Sequence, residues 1–281
     1  MGRLQIQAYT LQKKGNTPEE NEDAWACDGG ELITRVAVSD GASDAFESRY
    51  WSRALADRYI EQPPPADASV LLEWLRAPVE TWRGRIHWDR LAWYAEEKAR
   101  RGSFATLLGL DFEWGAEATT PEAAELPARW RAMVVGDVCL FQLREDTLVT
   151  WFPVQRSEEF GTTPALLSTR LDYSRRTVEE LRTARGEARP GDILLIATDA
   201  LAAWFLRQVE SGEKPWNRLL GLSEDAFAAL VEQLWQDNSL RIDDVTLLVM
   251  RVENETDHAS DDALAVAERV QHGDPEPTEQ L

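Results

Sequence analysis

Three short apolar segments of the sequence carry aspartate at one end. They are residues 36–38 before Asp40, residues 193–198 before Asp199, and residues 245–249 after the pair Asp243 and Asp244. Short apolar runs of this kind are typical of buried strands, in which aspartate is rare. One such aspartate is commonly a turn or helix-capping residue. Three of them at comparable places predict that the strand ends meet and bring their carboxylates together.

The pair Glu22 and Asp23 precedes another strand-like segment, residues 24–27, and adds two carboxylates to the predicted cluster. Carboxylates held close together repel each other, so such a cluster is stable only when cations neutralise it. Ligands that are all oxygen atoms favour Mg²⁺ or Mn²⁺ over Zn²⁺. Gly41, which follows Asp40, has no Cβ, so its backbone carbonyl can approach a metal closely. The sequence therefore predicts a site for hard divalent cations.

The overall charge of the chain excludes some classes of partner. The 281 residues carry a formal net charge of −20 at pH 7, which repels nucleic acid and anionic membrane surfaces. No apolar run reaches the roughly 20 residues that a membrane-spanning helix needs. Cys27 and Cys139 both lie in apolar segments, which favours free thiols in a reducing compartment. We therefore expect a cytoplasmic protein that binds neither nucleic acid nor membranes.

The predicted strands occur in hairpins, with helices grouped between them. The strand-like segments are residues 3–9, 24–27, 33–39, 103–112, 130–135, 138–143, 148–152, 192–198 and 245–252. Helical patterns cover residues 45–60, 68–100 (expected as two helices), 200–210 and 223–236. Residues 153–177 lack periodicity and are expected to form a long irregular loop. This grouping predicts an α+β fold with antiparallel sheets packed by helices, rather than a doubly wound parallel sheet.

Five acidic motifs follow one another in an order that is known from one enzyme family. They are Asn21-Glu22-Asp23-Ala24, Val38-Ser39-Asp40-Gly41-Ala42, Val135-Gly136-Asp137, Ala197-Thr198-Asp199-Ala200 and Asp243-Asp244-Val245-Thr246. In these motifs the chain resembles the protein phosphatase 2C family, the metal-dependent protein serine/threonine phosphatases, and above all its compact bacterial members. The resemblance implies a four-layer α-β-β-α sandwich, with two antiparallel sheets flanked by helices, for residues 1–252. The acidic residues 253–281 are predicted to be a disordered tail.

The resemblance also implies a role for each acidic motif. The implied metal ligands are Glu22, Asp40, the carbonyl of Gly41, Asp137, Asp199 and Asp243. Asp40 would bridge two Mn²⁺ or Mg²⁺ ions, and Asp137 would help to hold a third, weaker ion. Asp23 would hydrogen-bond metal-bound water, so the catalytic residues would be Asp23 and Asp40. Two cations about 3.5–4 Å apart can lower the pKa of a bridging water, and the resulting hydroxide would attack phosphorus.

One element of the family pattern is missing from this sequence. Many family members have an arginine about four residues before the Glu-Asp pair to bind the phosphate, and here that position is Pro18. Lys14, slightly upstream, is the candidate that could bind the phosphate as a point charge. The alternative is that Lys14 is a solvated loop residue, which is the usual state of lysine.

The resemblance leaves three functions open. The first is a phosphatase acting on phosphoserine and phosphothreonine in proteins, for which the targets of a bacterial serine/threonine kinase would be the substrates. The second is a catalytically weak or silent binding or regulatory module, which the missing arginine favours. The third is a phosphatase for a small phosphorylated metabolite. A monomer is expected in each case.

Overall fold

The computed structural model describes residues 3–30, 33–114, 127–161 and 164–253. The strands are β1 Arg3–Leu11, β2 Ala24–Gly29, β3 Ile33–Ser39, β4 Phe104–Ala105, β5 Leu107–Glu113, β6 Ala128–Val135, β7 Cys139–Arg144, β8 Thr147–Phe152, β9 Leu167–Ser168, β10 Arg182–Ala188, β11 Ile193–Ala197 and β12 Val245–Glu253. The α-helices are α1 Ser48–Glu61, α2 Ala68–Trp74, α3 Arg76–Gly84, α4 Trp93–Arg101, α5 Leu171–Thr177, α6 Asp199–Glu210, α7 Trp216–Leu219 and α8 Glu224–Gln236. The predicted tail lies outside the described residues from position 254 onward.

Two five-stranded sheets form the centre of the fold. The first has the strand order β1-β12-β11-β7-β8, and the second has the order β10-β6-β5-β3-β2. Strands β4 and β9 pair separately beside them. Neighbouring strands run antiparallel in each of these pairs. The prediction of two antiparallel sheets is confirmed.

The strands in the middle of each sheet are buried on both faces. In β11, Leu194 and Ile196 belong to the core between the two sheets, whereas Leu195 and Ala197 face the core beneath α6 and α8. The outer face of the second sheet packs under α1, α2 and α3 in the same way, with Trp51 fully buried. Because both faces are covered, these strands are continuous apolar runs rather than alternating ones. The four layers are therefore helices, sheet, sheet and helices, as predicted.

Two predictions about the connecting segments are wrong. Residues 68–100 contain three α-helices rather than two, with breaks at Leu75 and between Gly84 and Trp93. Pro78 causes no break, because it lies in the first turn of α3, where its missing N–H needs no partner. The segment 153–177 is not irregular throughout, since it contains β9 and α5. The edge strand β10 was not predicted at all. Its sequence is polar, and Gly186 lies so close to the ring of Trp130 that a Cβ would come within 2.5 Å of it.

The helices and the two cysteines bear on the expectations about membranes and disulfides. Among the helices in the described ranges, none has the length and apolar composition that crossing a bilayer requires. Cys27 and Cys139 are both free thiols.

Candidate metal centre

The predicted acidic residues lie at the ends of strands from both sheets. Asp40 directly follows β3, Asp137 lies in the turn between β6 and β7, and Asp199 begins α6 just after β11. Asp243 lies two positions before β12. These four residues line one cleft of about 920 Å³, which the fold places at one end of the sandwich. The structure therefore places four of the predicted acidic residues, which are far apart in the chain, along the same cleft.

The carboxyl groups in this cluster strongly disfavour one another's charge. Burial, and then the charges of Asp23, Asp199, Asp137 and Asp243, raise the pKa of Asp40 well above its ordinary value. Burial, followed by the charge of Asp199, raises the pKa of Asp137 to about 7. Such repulsion is what a bound divalent cation would relieve.

Asp40 is held in place through its backbone. The hydroxyl of Thr106 accepts a hydrogen bond from the N–H of Asp40 at 3.1 Å, and the N–H of Thr106 donates to the carbonyl of Asp40 at 2.9 Å. Ser39 donates its hydroxyl to the carbonyl of Thr106 at 2.5 Å. Because these bonds use main-chain and hydroxyl groups, the carboxylate of Asp40 stays available for a ligand.

Asp23 has one satisfied and one unsatisfied oxygen. The hydroxyl of Thr198 donates to Oδ2 of Asp23 at 3.1 Å. Oδ1 is buried and has no hydrogen-bond partner within the part of the chain that the structure describes. Burial, and further the charges of Asp244 and Asp199, raise the pKa of Asp23 well above its ordinary value. A buried carboxylate oxygen without a partner indicates that water or a cation belongs here.

Gly41 brings the loop carrying Glu22 against the end of β3. Its N–H donates to the carbonyl of Glu22 at 3.2 Å. A Cβ at this position would lie 2.7 Å from that carbonyl oxygen and 3.0 Å from the Cβ of Ser48. The glycine is therefore required by the close approach of two backbones, in addition to the metal contact predicted for its own carbonyl.

Two basic side chains form ion pairs with carboxylates that were predicted to hold metals. Nζ of Lys13 lies 2.7 Å from Oε2 of Glu22. The Nη2 atom of Arg241 donates to Oδ2 of Asp199 and, at 2.9 Å, to Oδ2 of Asp243. Over the described ranges, no group of three or more acidic, histidine or cysteine side chains has the arrangement of a metal-binding set. Asp40, Gly41, Asp137, Asp199 and Asp243 line one cleft. Of the predicted carboxylate ligands, Glu22, Asp199 and Asp243 are paired with cationic side chains.

The donor set fits a hard divalent cation by its chemistry. The ligands are carboxylate and carbonyl oxygens, which Mg²⁺ and Mn²⁺ prefer. The unpartnered Oδ1 of Asp23 and the raised pKa values of Asp40 and Asp137 indicate missing positive charge at the same place. For an ion to bind, Lys13 and Arg241 would have to leave the oxygens that they now occupy.

The sequence interpretation missed several residues of this site. Lys14 is exposed, and it is its neighbour Lys13 that reaches the acidic cluster. Arg241 was not considered, although a basic residue two positions before an acidic motif was a visible signal. Thr106 and Thr198 were not assigned roles, because nothing in a lone threonine indicates which backbone or carboxylate it will bond.

Searches for known relatives gave matches at the level of structure only. No protein-family model and no curated protein matches the chain. A solved photosystem II phosphatase, PBCP, matches at 14% identity with a TM-score of 0.55, over 89% of this chain and 99% of that one. The serine/threonine phosphatase PstP/Ppp of Mycobacterium tuberculosis matches at 18% identity with a TM-score of 0.52, over 89% of this chain and 99% of that chain.

A third solved structure is the catalytic domain of PstP in complex with two manganese ions. It matches at 17% identity with a TM-score of 0.52, over 90% of this chain and 100% of that chain. At these identities the likeness is one of fold, and it extends over nearly the whole length of each neighbour. The chain has the fold of the protein phosphatase 2C family.

Proposed function

We propose that this chain is a divalent-metal-dependent phosphatase that hydrolyses phosphoserine and phosphothreonine in proteins. The observation that carries the proposal is the setting of Asp40, a half-buried carboxyl group at the wall of an open cleft whose pKa is raised by burial and by the charges of Asp23, Asp199, Asp137 and Asp243. A cluster of carboxylates that cannot all be ionised by themselves is suited to binding divalent cations. The fold shared with metal-dependent phosphatases supports the same activity.

The predicted ligands would divide between two ions. One ion would be held by Glu22, Asp40 and the carbonyl of Gly41, and the other by Asp40, Asp199 and Asp243. Asp137, together with Asp199, would hold a third ion more weakly. When bound, Mn²⁺ or Mg²⁺ would lower the pKa of water and screen the negative charge of the phosphate.

The protein's own groups have separate tasks around those ions. The two hydrogen bonds between Asp40 and Thr106 fix the backbone of Asp40, so that its carboxylate is already in position before substrate arrives. Thr198 occupies Oδ2 of Asp23 and leaves Oδ1 free to accept a hydrogen bond from water. Asp23 can therefore orient a water molecule and accept its proton.

The cleft also offers positive charge to a phosphorylated segment. The whole chain carries −20 and repels anions at a distance. Lys98, an exposed residue of α4, lines the cleft beside the acidic cluster. A phosphorylated protein, such as a target of a bacterial serine/threonine kinase, can place its phosphate between this lysine and the bound ions. Lys14, exposed on the loop after β1, remains the predicted additional phosphate ligand.

A regulatory module without turnover is the second candidate. The pairing of Lys13 with Glu22 and of Arg241 with Asp199 and Asp243 favours it. If these pairs persist in solution, divalent ions will bind weakly and no phosphopeptide will be hydrolysed. A phosphorylated metabolite as the substrate would show itself by turnover on a metabolite panel with none on phosphopeptides.

The test is hydrolysis of phosphothreonine peptides by the purified protein, with Mn²⁺ or Mg²⁺ titrated in and a chelator as the reference. Asp40→Asn should lower turnover by about a hundredfold or more, because the charge that holds both ions is lost. Asp44→Asn is the matched control. Asp44 is exposed on the same cleft, and this substitution removes the same charge as Asp40→Asn does. Metal-independent turnover, or equal activity in both variants, would refute the proposal.

A further inference from the structure

Arg241 lies where two predicted metal ligands meet. Its Nη2 atom donates to Oδ2 of Asp199 and to Oδ2 of Asp243, and its side chain is 54% exposed on the cleft. Its backbone is fixed, because its carbonyl accepts a hydrogen bond from Nε1 of Trp235 at 3.1 Å and the preceding Leu240 is buried. The side chain can therefore move while its point of attachment stays in place.

We propose that Arg241 has two positions, and that the divalent ion selects between them. In the metal-free protein its guanidinium neutralises Asp199 and Asp243. When an ion binds these carboxylates, the guanidinium is displaced and binds the phosphate of the substrate. The second step rests on the proposed phosphatase function, whereas the first step does not.

Displacement follows from competition for the same atoms. The oxygens that Arg241 contacts belong to the two carboxylates proposed to hold one ion, so guanidinium and ion cannot bind there together in this geometry. A divalent ion carries twice the charge and is the harder partner for carboxylate oxygen. The guanidinium is 54% exposed whereas Asp199 and Asp243 are 16% and 29% exposed, so the ion has to replace the interactions of a partly buried pair.

The binding of phosphate by Arg241 follows from the position that its displaced guanidinium must take. With its backbone held beside Trp235, the guanidinium stays within a side-chain length of the two carboxylates and hence of any phosphate bound at the ions. Next to a divalent cation it is repelled, and it needs a new anionic partner. The planar fork of arginine matches two oxygens of a phosphate.

The segment between β1 and β2 is less well placed for this role. Position 18 is a proline and offers no charge. Lys13 is held by Oε2 of Glu22 and by the hydroxyl of Ser43 at 2.8 Å. Arg241, which precedes β12, would thus supply a phosphate-binding guanidinium that the loop after β1 lacks.

The first experiment measures Mn²⁺ binding to the full chain by calorimetry, with no substrate present. Arg241→Ala should tighten the binding to the Asp199 and Asp243 site by threefold or more, because the competing guanidinium is gone. Arg101→Ala is the matched control: Arg101 lines the same cleft and pairs with Glu97, so it removes equal charge without touching these ligands. Equal changes in the two variants would overturn the displacement step.

The second experiment measures the binding of inorganic phosphate to the Mn²⁺-saturated protein, and KM and kcat for a phosphothreonine peptide. Arg241→Ala should weaken phosphate binding and raise KM by about tenfold, with Arg241→Lys intermediate because lysine keeps the charge but loses the fork. An unchanged phosphate affinity in Arg241→Ala would overturn the phosphate step. If the wild-type protein binds Mn²⁺ and phosphate but hydrolyses no peptide, the proposed function fails, while both steps assigned to Arg241 are still decided by the binding data.

Discussion

The carboxylate of Asp244 accepts a hydrogen bond from the backbone N–H of Glu22 at 3.0 Å, although the two residues are 222 positions apart. Its other oxygen accepts from the backbone N–H of Lys13 at 2.7 Å. Asp244 is buried. This one side chain therefore joins the start of β12 to the loop that carries the first predicted metal ligand.

Removing that carboxylate should affect both stability and metal binding. Asp244→Ala leaves two backbone N–H groups without an acceptor and should lower the free energy of unfolding by about 1–3 kcal/mol. It should also weaken Mn²⁺ binding, because Glu22 is no longer held. Asp244→Asn keeps one acceptor oxygen and should lose less. Chemical denaturation and calorimetry of the three proteins test this, and equal stability of Asp244→Ala and the wild type would contradict it.

The stability of the metal-free protein should depend on pH through Asp137. Burial raises the pKa of Asp137 from its ordinary 3.8 to about 7 in the folded state. Between these two pH values the unfolded chain has released this proton and the folded chain keeps it, so stability falls as the pH rises through that window. In EDTA, Tm should fall between pH 5 and pH 7.5, and Mn²⁺ should reverse the fall.

The matched variant for this prediction is Asp137→Asn, which removes the titrating group and keeps the shape of the side chain. Its Tm in EDTA should fall less between the same two pH values. A fall as steep as that of the wild type would show that Asp137 is not responsible.

A methyl group at position 41 should disturb the site through packing alone. Gly41→Ala would place a Cβ 2.7 Å from the carbonyl oxygen of Glu22, so the loop must move away from β3. We expect a loss of about 1–3 kcal/mol in unfolding free energy, together with weaker Mn²⁺ binding. Gly29→Ala is the control, since a Cβ there meets nothing within 4 Å. Similar thermal stability of the two variants would speak against this close approach.

Lys13 and Lys14 should behave differently although they are neighbours. Nζ of Lys13 binds Glu22, and Lys14 is exposed. Lys13→Ala should change Mn²⁺ affinity, because it frees a predicted ligand. Lys14→Ala should leave Mn²⁺ affinity unchanged and raise KM less than Arg241→Ala does. Calorimetry and steady-state kinetics separate the two effects, and a larger KM increase for Lys14→Ala would assign the phosphate to that lysine instead.

The sequence patterns predicted the central strands because these strands are buried on both faces, whereas the four-layer arrangement was implied by the resemblance to the protein phosphatase 2C family. The run Ile193–Ala197 is apolar throughout, and its abrupt end before Thr198 and Asp199 indicates where the strand stops. The edge strand β10 could not be found in this way. It pairs with β6 along its length, and Gly186 lies against the ring of Trp130, but neither feature leaves a periodic pattern in the sequence.

The acidic residues of the site were also within reach of the sequence, since charge at the end of an apolar strand is unusual. The ion pairs that these acids form with basic side chains could not be predicted from the sequence. Whether Asp199 bonds to Arg241 depends on where the segment after α8 ends, and that is set by contacts such as Trp235 Nε1 with the carbonyl of Arg241. Pairs between distant positions follow from tertiary packing and have no local signature.

The proposed site depends on acidic residues at strand ends, distant in the chain, that bind the same divalent ions. Its most direct test is anomalous diffraction from crystals of the protein grown with Mn²⁺. We expect two strong peaks in contact with Asp40, one of them next to Glu22 and the other next to Asp199 and Asp243, with the side chain of Arg241 moved away. Crystals with saturating Mn²⁺ and no anomalous peak at Asp40, with Arg241 still on both aspartates, would contradict it.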